Sequence, residues 1–167
     1  MKKIVVILIL LITVYSGLAQ GKYAGTKKNL IGKIYTDSRK IPGLSGWQFR
    51  EGTVINPLDD AEMITADVFQ RGTNWIVFFS VREDTSLATY TIMDVVEVKN
   101  VLKGWQIKTT FCMQNKIENV EIVAVIKWSA YAEFLKPAQK AWRFNRDKKR
   151  FEAISIKGID CLNEGGD

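Results

Sequence analysis

The stretch ENVEIVAVIKW, Glu118–Trp128, decides the fold class of this chain. Side chains alternate between the two faces of a strand, so every second residue shares a face. One face is apolar throughout and carries Val120, Ile122, Ala124, Ile126 and Trp128. The other face is apolar only at its centre, and the clustered β-branched residues favour a strand over a helix. The pattern therefore predicts a central strand that is covered on both faces.

Shorter segments with the same character lie on both sides of this stretch. Trp75–Val81 is apolar on both faces and predicts a second buried strand, which follows a hairpin turn at Arg71–Asn74. Other predicted strands are Leu30–Thr36, Trp47–Arg50, Thr89–Lys99, Trp105–Met113, Lys140–Phe144 and Phe151–Ile156. Short strands joined by brief turns predict an all-β, or β-rich α+β, domain. We expect an antiparallel, hairpin-connected meander that forms a barrel or a sandwich, with at most one or two short helices.

Two segments leave the choice between helix and strand open. In Leu58–Gln70, the spacing of Asp59 and Glu62 resembles a capping box, which favours a helix start. The alternation that follows favours a strand, and we predict one over Met63–Gln70. Ser129–Lys136 is expected to form one or two helical turns that end at the following proline.

The first 19 residues have the pattern of a secretory signal peptide. Lys2 and Lys3 precede an apolar run, Ile4–Val14, and the small residues Gly17 and Ala19 follow it. The run is too short to span a bilayer, which takes about 20 helical residues. We expect an exported protein, periplasmic or extracellular, with no transmembrane segment after signal cleavage. No cysteine lies near the cleavage point, so a lipoprotein is not expected.

The predicted organisation after the signal peptide is simple. We expect a flexible lead-in over residues 20–29, a single β-rich domain over residues 30–162 and a mobile tail over residues 163–167. The chain has 24 basic and 18 acidic residues, and the charges are scattered along it. This is typical of a solvated surface and not of a nucleic-acid groove, so no nucleic-acid partner is expected.

The two cysteines, Cys112 and Cys161, both lie in the exported part of the chain. In an oxidising compartment such a pair predicts one disulfide. The competing interpretation is a thiol pair for metal or redox chemistry. Neither cysteine has C-x-x-C spacing, and the chain contains no histidine to complete a zinc site. We predict a structural bridge and no metal or cofactor.

The C-terminal third of the chain carries a recognisable order of motifs. These are Cys112, EIVAVIK (Glu121–Lys127), KAWRF (Lys140–Phe144), RFEAI (Arg150–Ile154) and KGIDCLNEG (Lys157–Gly165). The order resembles the C-terminal half of small, uncharacterised exported proteins of Gram-negative bacteria. None of these motifs is a catalytic signature. The resemblance implies a periplasmic or secreted destination and no particular activity.

The absence of histidine removes Ser-His-Asp and Cys-His triads, histidine bases and histidine-bound metals together. Carboxylate chemistry remains available. The adjacent acids Asp59-Asp60 and Glu83-Asp84 fall in predicted turns, where acids are common for solvation and capping. Asp94 would share the apolar face of a continuous strand, and a buried carboxylate there would be a candidate site. A bulge that turns Asp94 outward is the simpler account.

Aromatic and basic side chains are the remaining candidates for binding. Exposed tryptophans at strand ends could stack on sugars or line a groove, although packing is the interpretation that alternation favours. The tryptophans are Trp47, Trp75, Trp105, Trp128 and Trp142. One basic cluster could meet anionic lipid or an acidic partner, but a soluble hairpin tip is favoured. It consists of Arg143, Arg146, Lys148, Lys149 and Arg150.

No motif assigns a catalytic or binding residue, so whether the protein is an enzyme stays open. We expect an exported, non-catalytic binding or inhibitor-like β-domain of the bacterial envelope that recognises an unknown protein, glycan or lipid. The alternatives are a carboxylate-dependent hydrolase that acts on envelope polymers and a purely structural envelope protein. An open apolar interior would favour a lipid ligand, whereas a packed interior moves the site to the outer surface.

Overall fold

The computed structural model describes residues 26–55, 62–82 and 88–164, and the predicted signal peptide lies outside these ranges. The described residues form thirteen strands, one short helix, α1 (Thr26–Leu30), and a 3-10 turn at Ser38–Lys40. The strands are β1 (Ile34–Tyr35), β2 (Gln48–Val54), β3 (Met63–Arg71), β4 (Asn74–Arg82), β5 (Tyr90–Val98), β6 (Trp105–Lys108), β7 (Cys112–Gln114), β8 (Ile117–Glu118), β9 (Ile122–Lys127), β10 (Phe134–Leu135), β11 (Ala138–Asn145), β12 (Arg150–Ala153) and β13 (Ile159–Leu162). The prediction of an all-β fold is confirmed.

The strands form three antiparallel sheets. The first sheet has the order β1-β5-β4-β3-β2, and its strands β2 to β5 follow one another as a meander. The second sheet has the order β12-β11-β9-β6, and the third has the order β10-β13-β7-β8. The second sheet lies between the other two, because its inner strand contributes to the core on each side.

The core between the first and second sheets is filled by side chains. Val77 and Phe79 of β4 face Val123 of β9 and Phe144 of β11, and all four are fully buried. The rings of Phe79 and Phe144 stack with centroids 4.2 Å apart. The space between these sheets is therefore a packed core and not a ligand chamber, which moves the search for a binding site to the outer surface.

Strand β9 confirms the prediction of a central strand with two covered faces. Val123 and Val125 belong to the core shared with the first sheet. Ile122, Ala124 and Ile126 belong to a second core, shared with the third sheet. The strand is shorter than predicted, because residues 119–121 form a turn and Trp128 lies beyond the strand's end.

The strands that flank the first hairpin also form as predicted. Met63–Gln70 lies within β3, so the strand interpretation is confirmed, and residues 58–61 of the helix alternative lie outside the described ranges. Arg71 pairs with Asn74 across the two-residue turn that joins β3 to β4. Gly72 in this turn has φ 59°, a conformation that suits glycine.

A third core and a short helix involve the end of the predicted lead-in, residues 20–29, and the residues that follow it. Residues 26–29 of the predicted segment belong to helix α1, and residues 20–25 lie outside the described ranges. Leu30 and the following residues Ile41 and Leu44 pack on Phe78 and other residues of the first sheet's outer face. Five helical residues are too few to be stable alone, so this packing accounts for the helix.

Three other element predictions are wrong. The predicted strand Trp105–Met113 is two strands, β6 and β7, in different sheets, and Phe111 turns the chain between them with φ 52°. Ser129–Lys136 contains no helix but ends in the short strand β10. The last strand is not Phe151–Ile156. Strand β12 ends at Ala153, and β13 follows it to pair with β7.

The structure describes the first two residues of the predicted mobile tail, which covers residues 163–167. The backbone N–H of Asn163 donates to the Glu133 carbonyl at 2.8 Å, and its side chain donates to the carbonyls of Ser129 and Ala132 at 2.9 Å. The ordered chain thus continues past the predicted boundary at Leu162. Residues 165–167 lie outside the described ranges.

The carboxylates of two residues hydrogen-bond the first sheet to the second at places where the strands of the two sheets do not pair through their backbones. Asp94 of β5 accepts the Phe151 N–H of β12 at 2.8 Å. Glu51 of β2 accepts the Thr109 N–H at 3.1 Å and the Thr109 hydroxyl at 2.6 Å, just beyond β6. Side-chain hydrogen bonds therefore link the two sheets around their shared core at two places, which we call seams.

The predicted disulfide between Cys112 and Cys161 is confirmed. The two residues lie directly opposite each other on β7 and β13, with Cα atoms 3.9 Å apart. Both are fully buried in the core between the second and third sheets. The bond closes a loop with a sequence separation of 49 residues and holds the C-terminal strand in the third sheet.

Removing this bond should destabilise the fold strongly. We expect the double variant Cys112→Ala, Cys161→Ala to lose about 4 kcal/mol of unfolding free energy, because a loop of this length gains that much entropy when opened. Urea denaturation of the oxidised wild type, the reduced wild type and the variant measures the loss. Equal midpoints for the oxidised wild type and the variant would show that the bond has no stabilising role.

Candidate functional site

Three tryptophans meet in one cleft at the seam between β2 and β6. This tryptophan cleft has a volume of about 500 Å³, and its walls include Trp75, Trp105 and Trp128. Each of the three sits at or just beyond a strand end: Trp75 near the start of β4, Trp105 at the start of β6 and Trp128 after β9. The predicted placement at strand ends is confirmed for these three residues, and the fold brings them together.

The backbone ties two walls of the cleft to each other. The Trp128 N–H donates to the Gly104 carbonyl at 2.9 Å, directly before Trp105. Gly104 has φ 81°, so the turn that places Trp105 suits glycine. Trp75 is almost fully buried and packs in the core, whereas Trp128 is 45% exposed. Trp75 thus anchors the cleft, and Trp128 forms an accessible wall.

Polar side chains complete the cleft. Arg50 Nε donates to Gln70 Oε1 at 2.7 Å, and Arg50 Nη2 donates to Gln48 Oε1 at 2.9 Å. These bonds hold the guanidinium against β2 and β3. Gln106 also lines the cleft. The cleft therefore offers oriented donors and an amide beside aromatic surfaces.

An ion-pair chain fixes the floor of the cleft. Lys108 Nζ lies 2.9 Å from Glu164 Oε2 and 3.6 Å from Glu51 Oε2. Burial alone lowers the pKa of Lys108, but the hydrogen bond to Glu164 and the Glu51 charge outweigh it and leave that pKa raised. Lys108 therefore stays charged at neutral pH, and Glu51 is engaged in holding the seam.

The other two tryptophans serve packing, as alternation favours. Trp47 packs beside the third core, and the guanidinium carbon of Arg71 lies 4.5 Å from its ring centroid. Trp142 of β11 packs against the core between the first and second sheets. Neither residue lines the tryptophan cleft.

Asp94 is buried, so the prediction that a bulge turns it outward is wrong. Phe79 pairs with Asp94 and Ser80 pairs with Ile92, which leaves Met93 as the extra residue of the bulge. Asp94 is only 7% exposed. Its carboxylate accepts the N–H groups of Val95 and Phe151 at 2.8 Å and lies 2.7 Å from Lys27 Nζ. Asp94 is thus a structural residue of the seam.

Substitution at Asp94 should therefore lower stability. We expect Asp94→Ala to lose about 1–3 kcal/mol of unfolding free energy, because the Phe151 N–H loses its acceptor. Asp94→Asn keeps one acceptor oxygen and should lose less. Urea denaturation of both variants measures the difference, and an Ala variant as stable as wild type would contradict the structural role.

Four of the five basic side chains in the cluster at the β11–β12 hairpin pair with acids. Arg146 Nε lies 2.6 Å from Glu121 Oε1, and Lys149 Nζ lies 3.0 Å from Glu62 Oε1. The Lys148 ammonium hydrogen-bonds to Glu152 and lowers the pKa of that carboxyl to about 2. The cluster has the character of the predicted soluble hairpin tip. The acids Asp59-Asp60 and Glu83-Asp84 lie outside the described ranges.

Sequence reasoning did not single out Asp67, which the structure buries in a second cleft. Asp67 lies on the outer face of β3 and is 8% exposed. The Tyr35 hydroxyl donates to Oδ2 at 3.0 Å, and the Ser38 hydroxyl donates to Oδ1 at 3.1 Å. Burial raises the pKa of Asp67, and it raises the pKa of Tyr35 well above its usual range, with the nearby Asp67 charge adding to it. Tyr35 therefore stays a protonated donor.

The raised pKa of Asp67 predicts a specific pH dependence. The pKa of the Asp67 carboxyl in the unfolded chain is 3.8, and below this pH the carboxyl is protonated in both states. As the pH rises above 3.8, the folded state binds more protons than the unfolded state, so the free energy of unfolding falls. Asp67→Asn carries no charge, so its melting temperature relative to wild type should rise between about pH 4 and pH 7. Thermal unfolding of both proteins across this range measures the difference. A difference that does not change with pH would contradict a burial-raised pKa.

The comparisons with known proteins give no relative. No protein family, curated protein or solved structure matches the chain. Within residues 26–55, 62–82 and 88–164, no helix is both long and apolar enough to cross a bilayer. The same ranges contain no group of three or more cysteine, aspartate or glutamate side chains arranged to hold a metal ion. The argument for function therefore depends on the geometry of the clefts.

Proposed function

We propose that this chain is an exported, non-catalytic glycan-binding domain of the bacterial envelope, with the tryptophan cleft as its binding site. The observation that carries the proposal is the convergence of three strand-end tryptophans with Arg50, Gln70 and Gln106. None of these side chains is adjacent to another of the six in sequence except Trp105 and Gln106, so the fold assembles the site.

A carbohydrate fits the mixture of surfaces in this cleft. A sugar ring has apolar C–H faces and a rim of hydroxyl groups. The indole rings offer apolar faces and one N–H donor each, while the Arg50 guanidinium and the Gln106 amide offer planar donors and an acceptor for hydroxyl groups. The hydrogen bonds from Arg50 to Gln70 and Gln48 place the guanidinium before any ligand arrives. Such preorganisation lowers the entropy cost of binding.

Two features support export to the envelope. The pattern of residues 1–19 is that of a signal peptide without a lipid-bearing cysteine. The Cys112–Cys161 bond is of the kind that persists in oxidising compartments. The mature domain then meets glycans in the periplasm or outside the cell.

The hydrolase alternative needs two carboxylates that face one cleft and are free to act. Asp37 and Asp67 both line the second cleft, and their pKa values move in opposite directions. Asp37, however, accepts hydrogen bonds from the backbone N–H and the Nε of Arg39 at the start of the 3-10 turn. In the tryptophan cleft, Glu51 is bound to Thr109 and Lys108. The geometry thus favours binding over hydrolysis.

The purely structural alternative predicts no small ligand. A packed interior is compatible with the structural alternative. That alternative gives no reason for oriented polar groups beside three tryptophans in a surface cleft. A ligand bound in the tryptophan cleft would therefore distinguish the glycan-binding proposal from the purely structural alternative.

Intrinsic fluorescence tests the proposal, because two of the ring systems in the cleft are partly exposed. Mature protein is titrated with chitotetraose, which has a β-1,4-linked N-acetylhexosamine backbone, and with maltotetraose and cellotetraose. We expect saturable binding of at least one, weakened about tenfold or more in Trp128→Ala. Trp142→Phe is the matched control and should bind as wild type does.

Three outcomes would overturn the proposal. One is the absence of binding to any of these saccharides at millimolar concentration. Another is equal affinity of wild type and Trp128→Ala. The third is the release of reducing ends by wild type, which would favour the hydrolase.

A further inference from the structure

A second cleft of about 620 Å³ lies on the outer face of the first sheet, apart from the tryptophan cleft. It opens where residues 26–47 stop covering that face. Asp67 forms part of its lining, and Tyr35, Tyr90, Ser38 and Phe49 surround it. We call it the Asp67 cleft. None of these residues lines the tryptophan cleft, so the inference below does not depend on the proposed glycan site.

The strand opposite Asp67 is built to make room for its carboxylate. Gly52 of β2 pairs directly with Asp67 of β3. A Cβ atom at position 52 would lie 2.8 Å from Asp67 Oδ1 and 3.0 Å from Phe49 Cζ. Glycine in a strand interior costs stability and often marks a close approach. Here the close approach is that of a charged side chain to the backbone, at the edge of a cleft.

Among the described residues, the Asp67 carboxylate has no counter-charge. Its two hydrogen bonds come from the neutral hydroxyls of Tyr35 and Ser38, and no described cation lies within ion-pair distance of it. Arg39 lines the same cleft, but its Nε is bound to Asp37 Oδ1 at 3.0 Å. An ionised carboxylate has about four acceptor positions, so two remain open. A buried charge without a partner is costly, and a ligand that supplies the partner would remove this cost.

Aromatic rings form the walls around this charge. Tyr35 and Tyr90 stack with ring centroids 5.6 Å apart. Phe49 lies on the opposite side, on β2, and is 40% exposed. The faces of such rings attract cations. The guanidinium carbon of Arg82 already lies 5.8 Å from the Tyr90 ring centroid, so Tyr35 and Phe49 offer the rings available to a ligand.

From this geometry we propose that the Asp67 cleft binds an organic cation, whose ammonium or guanidinium group pairs with Asp67 between the tyrosine pair and Phe49. A hard metal ion fits less well, because Ca²⁺ takes six to eight oxygen ligands and the walls here are apolar rings. A neutral ligand would leave the carboxylate unpaired. Free amines and the lysine or arginine side chains of a peptide share the required chemistry, and the experiment separates them.

The test uses isothermal titration of the mature protein. The probes are cadaverine, tetramethylammonium and the blocked tripeptide acetyl-Gly-Lys-Gly-amide, with acetyl-Gly-Gln-Gly-amide as the neutral match. We expect saturable binding of at least one cationic probe and none of the neutral tripeptide. Preference for cadaverine indicates a free amine, and preference for the lysine tripeptide indicates a peptide side chain.

Variants locate the site and separate it from the glycan site. Asp67→Asn is nearly isosteric and should weaken cation binding at least about tenfold. Tyr90→Leu removes one aromatic wall and should weaken it less. Trp128→Ala is the matched control and should leave cation binding unchanged. Urea denaturation of each variant confirms that it is folded.

The proposal fails if wild type binds none of the cationic probes at 10 mM, taken as about the weakest binding that an ion pair in such a cleft would give. It also fails if folded Asp67→Asn binds as tightly as wild type. Binding of Ca²⁺ or of a neutral saccharide that is lost in Asp67→Asn would assign the cleft to a different ligand class and overturn the inference. Failure of the glycan titration alone would leave this result unaffected, because Trp128 is not part of the site.

Discussion

The burial of both faces of β9 is the constraint on which the rest of the structure depends. Val123 and Val125 hold the second sheet against the first, while Ile122, Ala124 and Ile126 hold it against the third. Strand β4 has the same character, since Val77 faces the shared core and Phe78 faces the segment that covers the first sheet. Three cores therefore stack on two doubly buried strands. Because these cores are filled, ligands are left with the outer surface and the seams.

The two clefts lie where this layered packing ends. The tryptophan cleft opens at the seam that Glu51 holds by accepting the Thr109 N–H. The Asp67 cleft opens where residues 26–47 stop covering β3. At both places a carboxylate accepts hydrogen bonds from residues of chain segments that do not pair with its own strand. The difference is that Glu51 has a lysine partner, whereas the partners of Asp67 within the described ranges are the hydroxyls of Tyr35 and Ser38.

The sequence predicts the individual strands and turns well, but it predicts poorly which side chains are buried by residues distant in the chain. The doubly apolar strands β4 and β9, the hairpin at Gly72 and the disulfide follow from alternation, turn chemistry and compartment. The burial of Asp67 does not, because its strand alternates correctly for an outward-facing side chain, and only the distant residues Tyr35 and Ser38 close over it. The prediction for Asp94 is wrong for the same reason, since the Phe151 N–H comes from another sheet. The sequence identifies each tryptophan by itself, but their convergence depends on a contact between two sheets that no local pattern encodes.

The segment that covers the first sheet is fastened at two carboxylates. Lys27 pairs with Asp94, and Ser38 together with Tyr35 reaches Asp67. Truncation of this protein from its amino end past residue 47 would remove this segment and expose the apolar side chains of Phe69, Ile76 and Phe78. It would also take the two hydroxyl donors from Asp67 and the lysine partner from Asp94. Residues 26–47 are consequently part of the folded domain and a poor place to truncate.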